Sequence, residues 1–351
     1  MTATEPILSV RGMRTEFPVR STWLQRRISS LIAVNEVDLD IEPGQTVSLV
    51  GESGSGKSTL ARSIIGLEQS TAGTITFDGQ DLASLSRRQR RAKSRDIQMI
   101  FQDPGSSLNP RRTVYQIISE GWLIHREIAP PKGTWRDQVV TLLEQVGLSA
   151  AHLDRYPHQF SGGQRQRISI ARALSMRPKL IICDEPVSAL DVSVQAQVLN
   201  LLARLQHEFD LTYLFISHDL SVVRHISDHV AVMYKGRIIE TGTRDQIFQA
   251  PQHPYTQMLL SSIPVLRPWK QTSRPRIKVR DDAHTIDAVS AGCAFAPRCQ
   301  WAFERCWERA PELQQHSTMH QAACHLQEFE PGNDIVPKIP QSISTESRAV
   351  S

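Results

Sequence analysis

The chain has no apolar stretch approaching the 18 or so consecutive residues that a bilayer-crossing helix requires. Its opening residues, MTATEPILSV, hold no positive segment followed by an apolar run, so no secretory signal is expected. Charge of one sign is not in large surplus. Forty Lys and Arg against 36 Asp and Glu leave a net +4, too little to argue for a nucleic-acid partner. Cysteine is limited to five residues, and none forms the Cys-x₂₋₄-Cys knuckle usual in zinc sites. These absences predict a cytoplasmic protein in a reducing compartment, where cysteines serve as thiols or metal ligands rather than disulfides. At 351 residues, two domains are expected.

What is present has a clear rhythm. Short β-rich runs, TVSLV (46–50), TITFDG (74–79), IQMIFQ (97–102), KLIIC (179–183), TYLFIS (212–217) and HVAVMY (229–234), alternate with helical stretches near 136–146, 162–175, 192–208 and 219–227. The later runs are almost wholly apolar, as strands buried on both faces of a parallel sheet must be. The alternation predicts an α/β nucleotide-binding core. Beyond about residue 250 the texture changes to scattered prolines and four of the five cysteines. The last stretch, PGNDIVPKIPQSISTESRAVS, has few large apolar residues, which predicts disorder.

GESGSGKST follows the first apolar run and precedes a helical one, TLARSIIGL. Gly51, Glu52, Ser53, Gly54, Ser55, Gly56, Lys57, Ser58 and Thr59 fit a loop whose backbone N–H groups turn inward onto phosphate oxygens. Lys57 would reach the β/γ-phosphates, Ser58 would ligate Mg²⁺, and the positive end of the following helix would face the anion. KLIICDEP ends a strand on adjacent carboxylates. Asp184 would orient Mg²⁺, and Glu185 would act as general base on the attacking water. FSGGQRQR opens another helix, with Ser161 as its cap and Gly162 and Gly163 leaving backbone N–H groups uncovered. One nucleotide needs only one such terminus, so this second one lacks an occupant within the chain. Gln102 could reach Mg²⁺ or the attacking water, and His218, just past a strand, lies where a γ-phosphate sensor would be needed.

Together these motifs resemble the ATP-binding cassette family over residues 5 to about 245. Walker A is 51–58, the glutamine loop Gln102, the signature Ser161 to Gln164, and Walker B Asp184 with Glu185. The D-loop runs from Ser188 to Asp191, and the switch is His218. Phe160 departs from the leucine that many members carry before Ser-Gly-Gly. The resemblance implies a P-loop NTPase core with a RecA-like parallel sheet, an antiparallel β subdomain and an α-helical signature subdomain. It also implies that Phe17 stacks on adenine, and that the signature helix of one subunit completes the Walker A site of another, with ATP and Mg²⁺ clasped between them.

The segments PQHPYTQMLLSSIP (251–264), GCAFAPRCQWAFERC (292–306) and AACH (322–325) resemble the dipeptide/oligopeptide permease branch, which includes nickel and glutathione importers. The expected organisation is an ATP-binding domain at 5–250, a C-terminal domain with four cysteines at 251–330, and a disordered tail at 331–351. Cys293, Cys299, Cys306 and Cys324 are separated by five, six and seventeen residues, unlike common zinc or ferredoxin runs. Four thiolates in a small domain could close a tetrahedral centre. The resemblance favours a [4Fe–4S] cluster there, with zinc as the alternative. Cys183, inside an apolar strand, reads as a small buried hydrophobe.

The implied partners are two integral-membrane permease subunits, a second homologous ATPase in a heterodimer, and an extracytoplasmic substrate-binding protein, with no nucleic acid. The implied location is the cytoplasmic face of the inner membrane. RRQRRAKSR (87–95) reads as a solvated helical face, and Trp23 with its flanking arginines as a candidate surface against a membrane subunit or lipid.

Overall fold

The structure, a computed structural model, describes residues 5–20, 27–262 and 291–328. Trp23 and the tail from 331 lie outside the described residues. The chain divides into two units, Met1–Ser48 with Ser58–Ser217, and Leu49–Lys57 with His218–Ser351.

The first unit opens with β1 (Leu8–Arg20) and β2 (Arg27–Ile41), and the boundary of the units falls within β3 (Thr46–Val50). Then come α1 (Lys57–Ile64), β4 (Ala72–Phe77), β5 (Gln80–Asp81), α2 (Arg87–Lys93), β6 (Ile97–Ile100) and α3 (Pro104–Ser107). Helices α4 (Val114–Ile124), α5 (Trp135–Gln145) and α6 (Gly162–Leu174) precede β7 (Leu180–Asp184), α7 (Val192–Phe209) and β8 (Thr212–Ser217).

Two sheet arrangements follow from the side-chain patterns. Strands β2, β1, β4 and β5 form an antiparallel sheet in that order. One face of β1 and β2 is apolar, with Leu8, Val10, Met13, Val34 and Val37 fully buried. In contrast, β6, β7 and β8 are parallel, with Ile97 opposite Leu180 and Leu180 opposite Thr212. Every residue of β7 and β8 is buried, which is what covering both faces of a sheet demands. Cys183 sits fully buried in β7, and burial pushes its thiol far above the usual range, as expected of an inert core residue. The stretch 87–93 forms α2 with no buried residue, a solvated basic helix as its composition predicted.

Helices α4, α5 and α6 form a helical region beside this core. Trp122 meets Trp135 edge-on at 5.4 Å and donates its indole N–H to the Ser175 carbonyl at 2.9 Å. Gly163 is where α6 meets α7, since a Cβ there would stand 2.4 Å from Cγ1 of Val194. Only a residue without a side chain permits that approach.

The second unit contains α8 (Leu220–Ile226), β9 (His229–Tyr234), β10 (Arg237–Thr243), α9 (Arg244–Gln249) and α10 (Pro254–Ser261), then α11 (Glu304–Glu308), β11 (Gln314–Ser317) and β12 (His320–Ala322). Strands β9, β10, β12 and β11 pair antiparallel in that order. Its core joins Val50, Val230, Val232, Tyr234, Tyr255 and Phe295. The segment beyond residue 250 is thus built into this core. A fully buried carboxylate, Glu240, binds it further. Glu240 accepts from the backbone N–H groups of Gln252 (2.6 Å) and His253 (2.9 Å), and its Oε1 lies 2.9 Å from Nε2 of His320 on β12.

Replacing Gly163 by Ala should cost about 1–3 kcal/mol through the clash with Val194. The thermal midpoint should fall, and combining it with Val194→Ala should recover most of the loss. His253 makes a second prediction. Its Nδ1 accepts the Tyr255 N–H at 3.0 Å, and burial lowers its pKa to about 4. Between pH 6.5 and 4 the unfolded chain takes up a proton that the folded chain refuses, so stability falls as pH falls through that window. The difference approaches a few kcal/mol, on the order of 3. In His253→Asn, whose amide oxygen can still cap Tyr255, urea midpoints should depend less on pH across this range.

Candidate functional site

The residues expected to hold nucleotide fall partly in each unit. In the second unit, residues 51–57 form the glycine-rich loop. Gly51 (φ +157°) lies so close to β9 that an added Cβ would stand 2.2 Å from the Met233 carbonyl oxygen. The Ser55 carbonyl accepts the Gly236 N–H at 2.8 Å, so the β9–β10 turn also supports the loop. Lys57 is buried, and its ammonium donates to the carbonyls of Gly51 and Glu52, both at 2.8 Å, and to Oγ of Ser55 at 3.3 Å. A buried cation held by polar atoms at the mouth of a loop is suited to attract phosphate. Ser53 and Gly54 are exposed, while Gly56 is half-buried.

Glu52 is gripped from outside the loop. Its N–H donates to the Tyr255 hydroxyl at 2.8 Å, and its carboxylate receives a two-pronged ion pair from Arg298 at 2.7 and 2.9 Å. Neither partner stood out in the sequence. Both lie in segments quoted only for their resemblance to the permease branch, and no spacing rule links positions 203 and 246 residues apart.

In the first unit, Ser58 and Thr59 lie half-buried in the first turn of α1, and Ser58 Oγ donates to Oδ1 of buried Asp184 at 2.9 Å. A hydroxyl and a carboxylate in contact are the hard oxygen donors that Mg²⁺ prefers, so these residues fit that ion. Glu185, the next residue, has φ +47°, a left-handed backbone unusual outside glycine. Its N–H donates to the Ile216 carbonyl at 3.0 Å, fixing the turn that follows β7. The side-chain amide of Gln102 donates to Glu185 Oε2 at 2.8 Å. Gln102 is steadied by its neighbour Asp103, which caps α3 by accepting from Gly105 N–H at 2.7 Å. The structure therefore brings Ser58 to Asp184 and Gln102 to Glu185, as pairs on consecutive carboxylates.

Ser161 and Gly162 are exposed at the start of α6. Ser161 Oγ accepts from the Gln164 N–H at 3.3 Å, and Gln164 Oε1 accepts from the Ser161 N–H at 3.0 Å, a reciprocal capping box. Phe160 is buried edge-on against His152 at 5.2 Å, so the replacement of leucine is absorbed by packing. Asp191 precedes α7 and is exposed. His218 is exposed just after β8. Phe17 is half-buried on β1 opposite Leu31 of β2.

The iron–sulfur expectation is corrected. Cys293, Cys299, Cys306 and Cys324 do line one cavity of the second unit, with His253 and His325. Among the described residues, however, no group of three or more His, Cys, Asp and Glu side chains is disposed to hold a metal ion. Burial pushes the Cys293 thiol up to about 11 and the Cys324 thiol higher still. Neither the [4Fe–4S] cluster nor its zinc alternative is supported.

Comparison with known proteins identifies the family. The family "ABC transporter" matches residues 34–188, and "Oligopeptide/dipeptide transporter, C-terminal region" matches 239–306. The oligopeptide transport ATP-binding protein AppF of Bacillus subtilis is 49% identical over 323 residues, covering 92% of this chain and 98% of that protein. The dipeptide transport ATP-binding protein DppF of Haemophilus influenzae is 46% identical over 91% of this chain and 96% of that protein. The glutathione import ATP-binding protein GsiA of Escherichia coli is 48% identical over 86% of this chain but only 50% of its own length.

Among solved structures, cbiO1 from Clostridium perfringens, part of the ABC transporter complex cbiONQ, superposes with a TM-score of 0.59 at 29% identity. It covers 70% of this chain and 91% of cbiO1. The ATP-binding cassette MJ0796, in a dimeric post-hydrolysis state with ADP and Pi, gives 0.60 at 26% identity, covering 68% of this chain and 98% of that one. The fold, the paired carboxylates and these relatives lead to one conclusion: the chain belongs to the ABC transporter family, as an ATP-hydrolysing subunit of its peptide-importer branch.

Proposed function

We propose that this subunit binds MgATP on residues 51–58, hydrolyses it with Glu185 as general base, and thereby drives import through separate membrane subunits. The observation that carries the proposal is the placing of Ser58 and Gln102 on successive carboxylates at the end of β7. Ser58 and Asp184 would hold Mg²⁺, which when bound neutralises charge on the β- and γ-phosphate oxygens. Lys57 and the inward amides of 51–57 would orient the triphosphate. Glu185 would accept a proton from the attacking water, and its bond from Gln102 would aim the carboxylate until that water arrives. The left-handed backbone at Glu185 is the kind of local strain that a folded structure retains where a side chain must point in one direction. His218 would contact the γ-phosphate, and Phe17 the adenine.

The exposed start of α6 at Ser161 and Gly162, followed by Gly163 and Gln164, would cap the ATP of a second cassette, with Asp191 at the same junction. Closure around ATP and release after hydrolysis would form the two-state cycle that moves the permeases. The dimeric form of the relative bound to ADP and Pi supports this reading. The second cassette would be a homologous chain in a heterodimer. Among the described residues no helix is long and apolar enough to cross a membrane. The chain would sit on two permease subunits at the cytoplasmic face, a reading supported by its likeness to the oligopeptide and dipeptide transport ATP-binding proteins. Those subunits, and a substrate-binding protein outside, would select the peptide.

Glu185→Gln should lower ATP turnover by at least about 100-fold while MgATP binding persists and a closed dimer accumulates, measured by phosphate release and size-exclusion chromatography. Turnover close to that of the unaltered protein would remove Glu185 from the role of base. Affinity purification from detergent-solubilised membranes should recover integral membrane proteins with the chain. Recovery of ribosomes or DNA in their place would contradict the assignment of partners.

A further inference from the structure

We infer that Arg298, assisted by Tyr255, is a positioning residue for the phosphate loop, so that the segment beyond residue 250 forms a working part of the nucleotide site. The inference rests on the reading of residues 51–58 as the loop that takes the triphosphate. A loop of glycines and serines has more backbone freedom than almost any other sequence, and ordering it upon binding costs affinity. Any contact that fixes its shape beforehand lowers that cost.

Glu52 is the residue through which such a contact acts. Arg298 Nη1 donates to Oε2 at 2.7 Å and Nη2 to Oε1 at 2.9 Å, the parallel fork that sets the carboxylate in one orientation. The Glu52 N–H is held separately by the Tyr255 hydroxyl at 2.8 Å, so side chain and backbone are both fixed. The Glu52 carbonyl then accepts from the Lys57 ammonium at 2.8 Å. A line of contacts therefore runs from Arg298 and Tyr255 through one residue to the lysine expected to meet the β- and γ-phosphates.

The gripping groups are themselves rigid. The guanidinium lies 5.9 Å from the centre of the Tyr234 ring and 5.8 Å from that of Phe295. Those rings and Tyr255 pack together with centroids 4.6 to 5.5 Å apart in the core of the unit. Arg298 is about one-fifth exposed, and Glu52 and Tyr234 hold it charged, raising its pKa above the usual arginine value. An isolated exposed ion pair would contribute little. A two-pronged pair stacked on aromatic rings, with a second anchor on the same residue, is a different case.

The test uses the purified full-length chain, with MgATP as the probe. Arg298→Ala should weaken MgATP binding and raise KM by about tenfold, equivalent to about 1.4 kcal/mol, while kcat at saturating ATP stays within about twofold. Tyr255→Phe removes one oxygen and keeps the ring, and should raise Kd about threefold without unfolding the core. Glu52→Gln should match Arg298→Ala, and the double variant should be no worse than either alone, because the two residues act as one device.

Unchanged Kd in both Arg298→Ala and Tyr255→Phe would overturn the inference. So would a roughly hundredfold loss in the double variant, which would mean that the two residues act independently. Failure of the unaltered chain to bind MgATP, or binding undiminished by Lys57→Ala, would instead refute the phosphate-loop reading itself.

Discussion

The close approach of residue 51 to the Met233 carbonyl is the constraint on which the glycine-rich loop depends. With 2.2 Å available to a would-be Cβ, only glycine lets the loop settle against β9. Once it does, the Gly51 and Glu52 carbonyls come within reach of the Lys57 ammonium, and the Ser55 carbonyl meets Gly236. The loop is thus moulded by a strand nearly two hundred residues away in sequence, rather than by its own preferences alone. The carboxylate half has a matching device. The Glu185 backbone is held left-handed by its bond to Ile216, so Asp184 and Glu185 present successive carboxylates to different partners. Local strain and close approach, each tolerated because the surrounding core enforces it, shape the loop and the carboxylate pair, each within its own unit.

Much of this was legible in the sequence because the signals are short-range. Strands 46–50, 212–217 and 229–234 occur as predicted, since a run of apolar residues bounded by polar ones leaves few alternatives in a buried sheet. The capping of α6 by Ser161 follows from chemistry within three residues. The bond between Gln102 and Glu185 was harder to foresee, because it joins residues 83 apart, and only the family pattern suggested that both belong to one site. Arg298 and Tyr255 were illegible for the same reason in stronger form. An arginine near cysteines and a tyrosine after a proline carry no mark of a partner at position 52.

The cysteines teach the opposite lesson. Their convergence was readable, and they do line a common cavity. Convergence is not coordination, however. A metal site requires several donors aimed at one point, and among the described residues no three His, Cys, Asp or Glu side chains are so disposed. Composition and spacing cannot report that disposition, because it depends on where the finished fold aims each sulfur.

Glu240 carries a consequence for how the C-terminal hairpin is held. Its carboxylate, wholly removed from water, is shared by the β10 strand that bears it, the turn at 252–253 and the β12 hairpin strand. Without the hairpin the acid would lose His320 and be left with the two backbone N–H groups of the turn at 252–253. The hairpin is therefore a structural member of this unit rather than a detachable appendage.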